Sequence, residues 1–179
     1  VVINPCDYNQ TKAATLAVAE YEGPVYLRFG RPAWPIFMPA DQKFEIGKAI
    51  VMNEGTDVTI FATGHLVWKA VEAAQQLQAE GLSVELINIH TIKPLDREAV
   101  INSVSKTKCA VVAEEHNRIG GLGSSIAALL ASELPTPLEF VAVNDSFGES
   151  GTPDQLLKKY GLDTPNVVAA AKRVMQRKK

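Results

Sequence analysis

Apolar positions along the chain recur in blocks that switch between strand-like runs and helix-like spacing. Val1-Val2-Ile3 is a short apolar run closed by Asn4-Pro5. Between Gln10 and Tyr21, the residues Ala14, Ala17, Val18 and Tyr21 stand at i, i+3, i+4 and i+7, which predicts one helical face. Gly23-Pro24 breaks that pattern, and Val25-Tyr26-Leu27-Arg28-Phe29 reads as a second strand. A strand–helix–strand unit cannot cover both faces of its own sheet, so it is expected to need neighbours that the chain does not supply. Pro32, Pro35 and Pro39 then punctuate a stretch without periodicity, a linker stiffened by proline.

From Lys48 the alternation becomes regular. Ala49–Met52 predicts a short strand and Val58–Ala62 a buried one, followed by a helix with Val67, Ala70, Val71, Ala74 and Leu77 on one face and a stop at Gly81. Strands are expected at Val84–Ile89, Cys109–Ala113 and Leu138–Val143, with helices up to about Ser105 and over Ser124–Leu134. Thr152-Pro153 and Thr164-Pro165 each read as a cap followed by proline at the first helical position, so two closing helices are predicted. Short loops between alternating strands and helices mean a mostly parallel sheet with right-handed crossovers and helices on both faces. The fold class is therefore α/β, with a three-layer α/β/α arrangement. The segments divide as residues 1–32, a linker at 33–47, and a domain at 48–179.

Composition narrows the function. The 179 residues are 46% hydrophobic and 21% charged, which excludes a disordered chain. Eighteen Lys and Arg against twenty Asp and Glu give a net charge of −2, so there is no domain-wide basic field for nucleic acid. The basic cluster Lys172, Arg173, Arg177, Lys178 and Lys179 suits a helix C-terminus. No apolar run approaches a membrane span, so no membrane partner is expected. Cys6 and Cys109 fall in apolar strand-like runs and fit a reducing, cytoplasmic compartment. A chain opening within an apolar strand, without Met, reads as part of something longer.

Candidate chemistry gathers after the strands. His65, His90 and His116, with Glu114 and Glu115, follow three different strands and could share the sheet's C-terminal edge, where α/β folds bind ligands. Such residues could form a metal or acid–base cluster, or simply cap helices and face water. Gly120-Gly121-Leu122-Gly123-Ser124-Ser125 leads from strand to helix, and its N–H groups with the helix dipole would suit an anion, with His116 close by in sequence. It departs from a dinucleotide fingerprint, because Ile126 stands where a third glycine belongs, and a tight turn of small residues explains it equally. Arg31, directly after a strand and beside Gly30, can grip phosphate or carboxylate with its planar fork, or be a plain surface arginine.

Several segments, in order, resemble the C-terminal part of transketolase. These are Gly23-Pro24-Val25-Tyr26-Leu27-Arg28 with Gly30-Arg31, Lys93-Pro94-Leu95-Asp96, Glu114-Glu115-His116-Asn117 with Ile119-Gly120-Gly121-Leu122-Gly123-Ser124, Asp145-Ser146-Phe147-Gly148-Glu149-Ser150-Gly151, and Leu156–Leu162. Lys93–Asp96 is shared with the related deoxyxylulose-phosphate synthases, whereas Phe147–Gly151 favours transketolase. The resemblance implies that residues 1–32 close a pyrimidine-binding domain and that 48–179 form a transketolase C-terminal domain with a five-stranded sheet. It implies a parent enzyme moving a two-carbon ketol unit between sugar phosphates of the pentose phosphate pathway, using thiamine diphosphate and Mg²⁺. Those groups are expected on the upstream diphosphate- and pyrimidine-binding domains, in the same chain or a separate subunit. No catalytic, cofactor-binding or metal residue is therefore expected here, and the chain alone is expected to be inactive, serving structure and homodimer formation. Arg31 matches the family's arginine for the substrate phosphate. The alternatives are a deoxyxylulose-phosphate synthase, a 2-oxoacid dehydrogenase β-subunit, or a free-standing regulatory module binding an anion at Gly121, Gly123, Ser124 and His116.

Overall fold

The computed structural model describes residues 1–178, so Lys179 of the basic cluster lies outside the described residues. In chain order the elements are β1 (Val2–Ile3), α1 (Tyr8–Ala19), β2 (Tyr26–Leu27), β3 (Ile50–Asn53), β4 (Val58–Ala62), α2 (Leu66–Ala79) and β5 (Val84–Asn88). They continue as β6 (Thr91–Lys93), α3 (Arg97–Thr107), β7 (Ala110–Asn117), α4 (Leu122–Glu133), β8 (Leu138–Val143), α5 (Pro153–Lys159) and α6 (Thr164–Met175). None of these helices is long and apolar enough to cross a membrane.

The main sheet has the order β3-β5-β4-β7-β8, with β4 parallel to β5 and β7, and β7 parallel to β8. Only the edge strand β3 runs antiparallel, against β5. This is the three-layer α/β/α arrangement that the alternating pattern predicts. Both faces of β4 are buried, and its side chains part by the period of two. Val58, Ile60 and Ala62 join α2 and α6 in one core, while Phe61 joins α3 and α4 in the other. Thr59 points with Phe61, and its hydroxyl pairs with Ser103 and Thr107 of α3 at 2.7 Å each, so the buried polar group is satisfied.

The N-terminal segment departs from its expected form. Its strand at 25–29 shortens to Tyr26–Leu27, and on α1 the buried positions are Gln10 and Ala14 rather than the Ala14–Tyr21 face. Asp7 caps α1 by accepting the Gln10 N–H. Cys6 lies in the turn before α1, not in a strand, and burial pushes its thiol pKa well up. Most importantly, the missing sheet neighbour comes from the same chain. β1 pairs in parallel with β2 and antiparallel with β6, placing Val2 opposite Lys93 and Ile3 opposite Thr91. Asn4 continues the join: its N–H donates to the His90 carbonyl, and its own carbonyl accepts from Gly64 N–H and Thr63 Oγ1. At the other end of the chain, the cap of α6 is Asp163, one residue before the expected Thr164, because its carboxylate accepts the Asn166 N–H.

Candidate functional site

Parallel strands put all their C-terminal ends on one side, and β4, β7 and β8 end beside the arch of residues 28–34. Between them opens a cavity of about 590 Å³. Arg31 and Trp34 line it from the arch, His65 from the start of α2, Glu115, His116 and Asn117 from the end of β7, and Ser146, Gly148 and Tyr160 from beyond β8. Arg31 is exposed, and its guanidinium has no hydrogen-bond or ion-pair partner among the described residues. The Asp145–Gly151 loop rims the cavity with Phe147 fully exposed, while Tyr160 donates from its hydroxyl to the Phe147 carbonyl at 3.2 Å.

His65 is the most constrained of the polar lining groups. Its Nδ1 lies 3.2 Å from Glu115 Oε2, and its ring stacks on the Trp34 indole at 4.5 Å and 15°. The hydrogen bond from His65 holds the Glu115 carboxyl below the usual carboxylate range, against the opposing effect of burial. Arg28 adds a guanidinium N–H to the Glu115 carbonyl at 2.9 Å. Trp34 also carries the Lys69 ammonium over its ring, 5.8 Å from the ring centre.

The other candidates do not gather there. His90, between β5 and β6 in sequence, is buried, with Nδ1 3.0 Å from Thr91 Oγ1 and its ring 4.1 Å from that of Phe44. Burial lowers its pKa to about 4, partly opposed by Asp96, so at neutral pH it is an uncharged packing residue. The three histidines therefore do not converge, and among the described residues no group of His, Cys, Asp or Glu could hold a metal ion.

The glycine loop is committed to its own strand. Glu114, 2% exposed, accepts the Leu122 N–H at 2.7 Å and the Gly123 N–H at 2.8 Å, so a carboxylate of β7 sits on the N-terminus of α4. A Cβ at Gly121 would run into that carboxylate, which is why glycine stands there. Ser124 Oγ accepts the Gly120 N–H and donates to the Arg118 carbonyl, closing the loop on itself. His116 is exposed, with Nδ1 2.8 Å from the Asn117 carbonyl oxygen. The amides of Leu122 and Gly123 offered to an outside anion are thus taken from inside. Burial raises the Glu114 carboxyl above its ordinary range, and the Gly123 and Leu122 amides oppose that rise.

Sequence reasoning offered Arg31, His65, Glu115 and His116, and these share the cavity. It missed the pairing of His65 with Glu115, the roles of Trp34 and Tyr160, and the internal use of Glu114. An acidic residue ending a strand just before a glycine-rich helix start was the available signal for Glu114.

Comparison with known proteins agrees with this architecture. The family model described as transketolase, C-terminal domain, matches residues 47–167. A 6-deoxy-6-sulfo-D-fructose transketolase subunit from Clostridium sp. (strain MSTE9) is 45% identical over 99% of this chain and 55% of its own length. A putative transketolase C-terminal section from Methanocaldococcus jannaschii is 43% identical over 100% of this chain and 56% of its own. A solved structure described as a split gene transketolase, inactive β4 tetramer, superposes with a TM-score of 0.96 at 47% identity, over 99% of this chain and 58% of that one. The chain thus spans somewhat more than half the length of these relatives. With the family model covering the main sheet and these relatives matching almost end to end, the chain belongs to the transketolase C-terminal-domain family.

Proposed function

We propose that this chain is a section of a thiamine-diphosphate-dependent transketolase that transfers a two-carbon ketol unit between sugar phosphates, working only when assembled with the rest of the enzyme. In this reading residues 1–32 close the pyrimidine-binding domain, 48–179 form the C-terminal domain, and two copies of the assembly pair. One observation carries the site assignment: Arg31 offers an unpartnered guanidinium at the lip of the cavity. A planar fork with no internal carboxylate is suited to the phosphate of a sugar phosphate.

The residues present do not fit a Mg²⁺–diphosphate site. Of the carboxylates nearest the cavity, Glu115 is engaged by His65, and Glu149 by Lys159 at 2.5 Å and by the Tyr160 hydroxyl. We therefore assign cofactor and metal to the parts of the parent enzyme outside this chain. Deoxyxylulose-phosphate synthases are also relatives, such as that of Geobacter sulfurreducens at 34% identity over 97% of this chain, and the higher identities to transketolase sections favour the ketol transfer. The engaged amides of the Gly120–Ser124 loop weigh against a free-standing anion module.

Arg31→Ala in the assembled enzyme is expected to raise KM for a sugar phosphate. Losing a charge-assisted contact of about 1.5–3 kcal/mol lowers kcat/KM roughly ten- to a hundredfold. Turnover of the same sugar without its phosphate should scarcely change, because the deleted contact is never made there. Equal damage to both substrates would make Arg31 structural. Titration calorimetry of the chain alone with thiamine diphosphate and Mg²⁺ should show no saturable micromolar binding.

A further inference from the structure

We infer that His65, a residue of the C-terminal domain, positions Arg31 for its ligand; this rests on the reading of Arg31 as the phosphate-binding group. The arch from Arg28 to Trp34 has neither helix nor strand, and past Arg28 N–H, which donates to the Ile3 carbonyl, residues 29–36 make no backbone–backbone hydrogen bond among the described residues. Something else must define where Arg31 stands, since an unbonded loop samples many conformations.

Three contacts supply that definition, and all three converge on His65 and Glu115, whose side chains are within hydrogen-bond distance. Before Arg31, the Arg28 guanidinium donates to the Glu115 carbonyl. Next to Arg31, the Gly30 backbone lies so close to the His65 imidazole that a Cβ would collide with Cε1 and Nε2. After Arg31, the Trp34 indole lies flat on the His65 ring. The arch is therefore pinned on both sides of Arg31 by His65 and Glu115, while Arg31 itself is left free. His65 is in turn fixed by Glu115 through Nδ1 and by its place at the start of α2, with 14% of its side chain exposed. Glycine at position 30 follows from the same geometry, because any larger residue would push the arch off the imidazole. His65 acts through Arg31 and is a positioning residue.

The test is a mutant cycle in the assembled enzyme, with a sugar phosphate and its phosphate-free counterpart as acceptors. His65→Ala should raise KM for the sugar phosphate roughly three- to tenfold, several times more than it affects the phosphate-free reaction, with most of the loss in KM rather than kcat. His65→Phe, which keeps a flat ring under Trp34 without the hydrogen bond to Glu115, should restore most of the loss. The double variant with Arg31→Ala should be no worse than Arg31→Ala alone, because a positioning residue has nothing left to position. Thermal unfolding of each variant reports whether the fold persists, and the tryptophan emission read in a Trp68→Phe background reports whether the stack does. Equal loss on both acceptors would make His65 merely structural, and a multiplicative effect in the double variant would make it independent of Arg31. Either overturns the inference. If Arg31→Ala alone already harms both acceptors equally, the phosphate reading fails first and this inference falls with it, a result visible without touching His65.

Discussion

In β4 and β5 every side chain is buried, and two apolar cores meet them from opposite faces. In the N-terminal segment β1 and β2 are two residues each, α1 buries only Gln10 and Ala14, and Tyr8, Leu16, Tyr26 and Phe29 stand more than half exposed. Beyond buried Ile3, Cys6 and Ala14, much of what holds that segment is polar. The Asp7 carboxylate accepts the N–H groups of Gln10, Phe37 and Met38, and Gln10 Oε1 accepts from Cys6 N–H and Asn88 Nδ2. The contrast teaches that one chain can combine a core held by apolar area with an appendage held by directed bonds. Apolar area tolerates small shifts, whereas directed bonds fail one partner at a time.

The largest expected effect tests the core side. Phe61→Ala should cost about 3–5 kcal/mol of unfolding free energy, the usual range for emptying a packed aromatic site. Leu27→Ala in half-buried β2 should cost about 1 kcal/mol, since little area leaves water there. Urea unfolding of both variants measures the difference, and equal losses would erase the contrast.

The second effect sits at the join, where the carbonyl of buried His90 accepts the Asn4 N–H. Its pKa is about 4 when folded, lowered by burial from an ordinary value of 6.5. Below pH 6.5 the unfolded chain gains a proton that the folded chain refuses, so stability falls as pH falls, until both forms are protonated below about 4. The loss attributable to this group is roughly 3 kcal/mol. Unfolding free energies at pH 7 and pH 4 should converge in His90→Gln relative to the parent chain by about that amount. An unchanged pH difference would mean that His90 does not carry the acid sensitivity of the join.

The smallest effect is local. Asp7→Ala should speed hydrogen exchange at the Phe37 and Met38 amides by roughly tenfold or more, as each loses a charged acceptor. Exchange within Val58–Ala62 should not change. If β4 responds as strongly as residues 37 and 38, the two regions open together and the appendage is part of the core.

The same division governs what the sequence disclosed. Val58–Ala62 and Leu138–Val143 are strands with the predicted bounds, because an apolar run bounded by turn residues is a local signal. Thr91-Ile92-Lys93 carries no such pattern; it is a strand because β1 lies alongside it. On α1, the apolar spacing pointed to Ala17, Val18 and Tyr21, yet Gln10 is buried instead because Cys6 and Asn88 offer it hydrogen bonds. At the site, strand ends located His65, Glu115 and His116 on one edge. Which of them touch depends on the order β5-β4-β7 and on an arch that no periodicity describes.

The pairing of β1 with β6 also has a consequence for synthesis on the ribosome. Ile3 must wait for its partner Thr91, and at about 5–20 residues per second that delay is roughly 4–18 seconds. Through that interval β1 has its edge toward β6 unsatisfied and apolar side chains in water, long before that partner exists. An edge of this kind invites pairing with other nascent chains. The cell's demand for chaperone protection should therefore be concentrated on the segment around Val2–Ile3 while β6 is still missing, and should lapse once Lys93 has emerged.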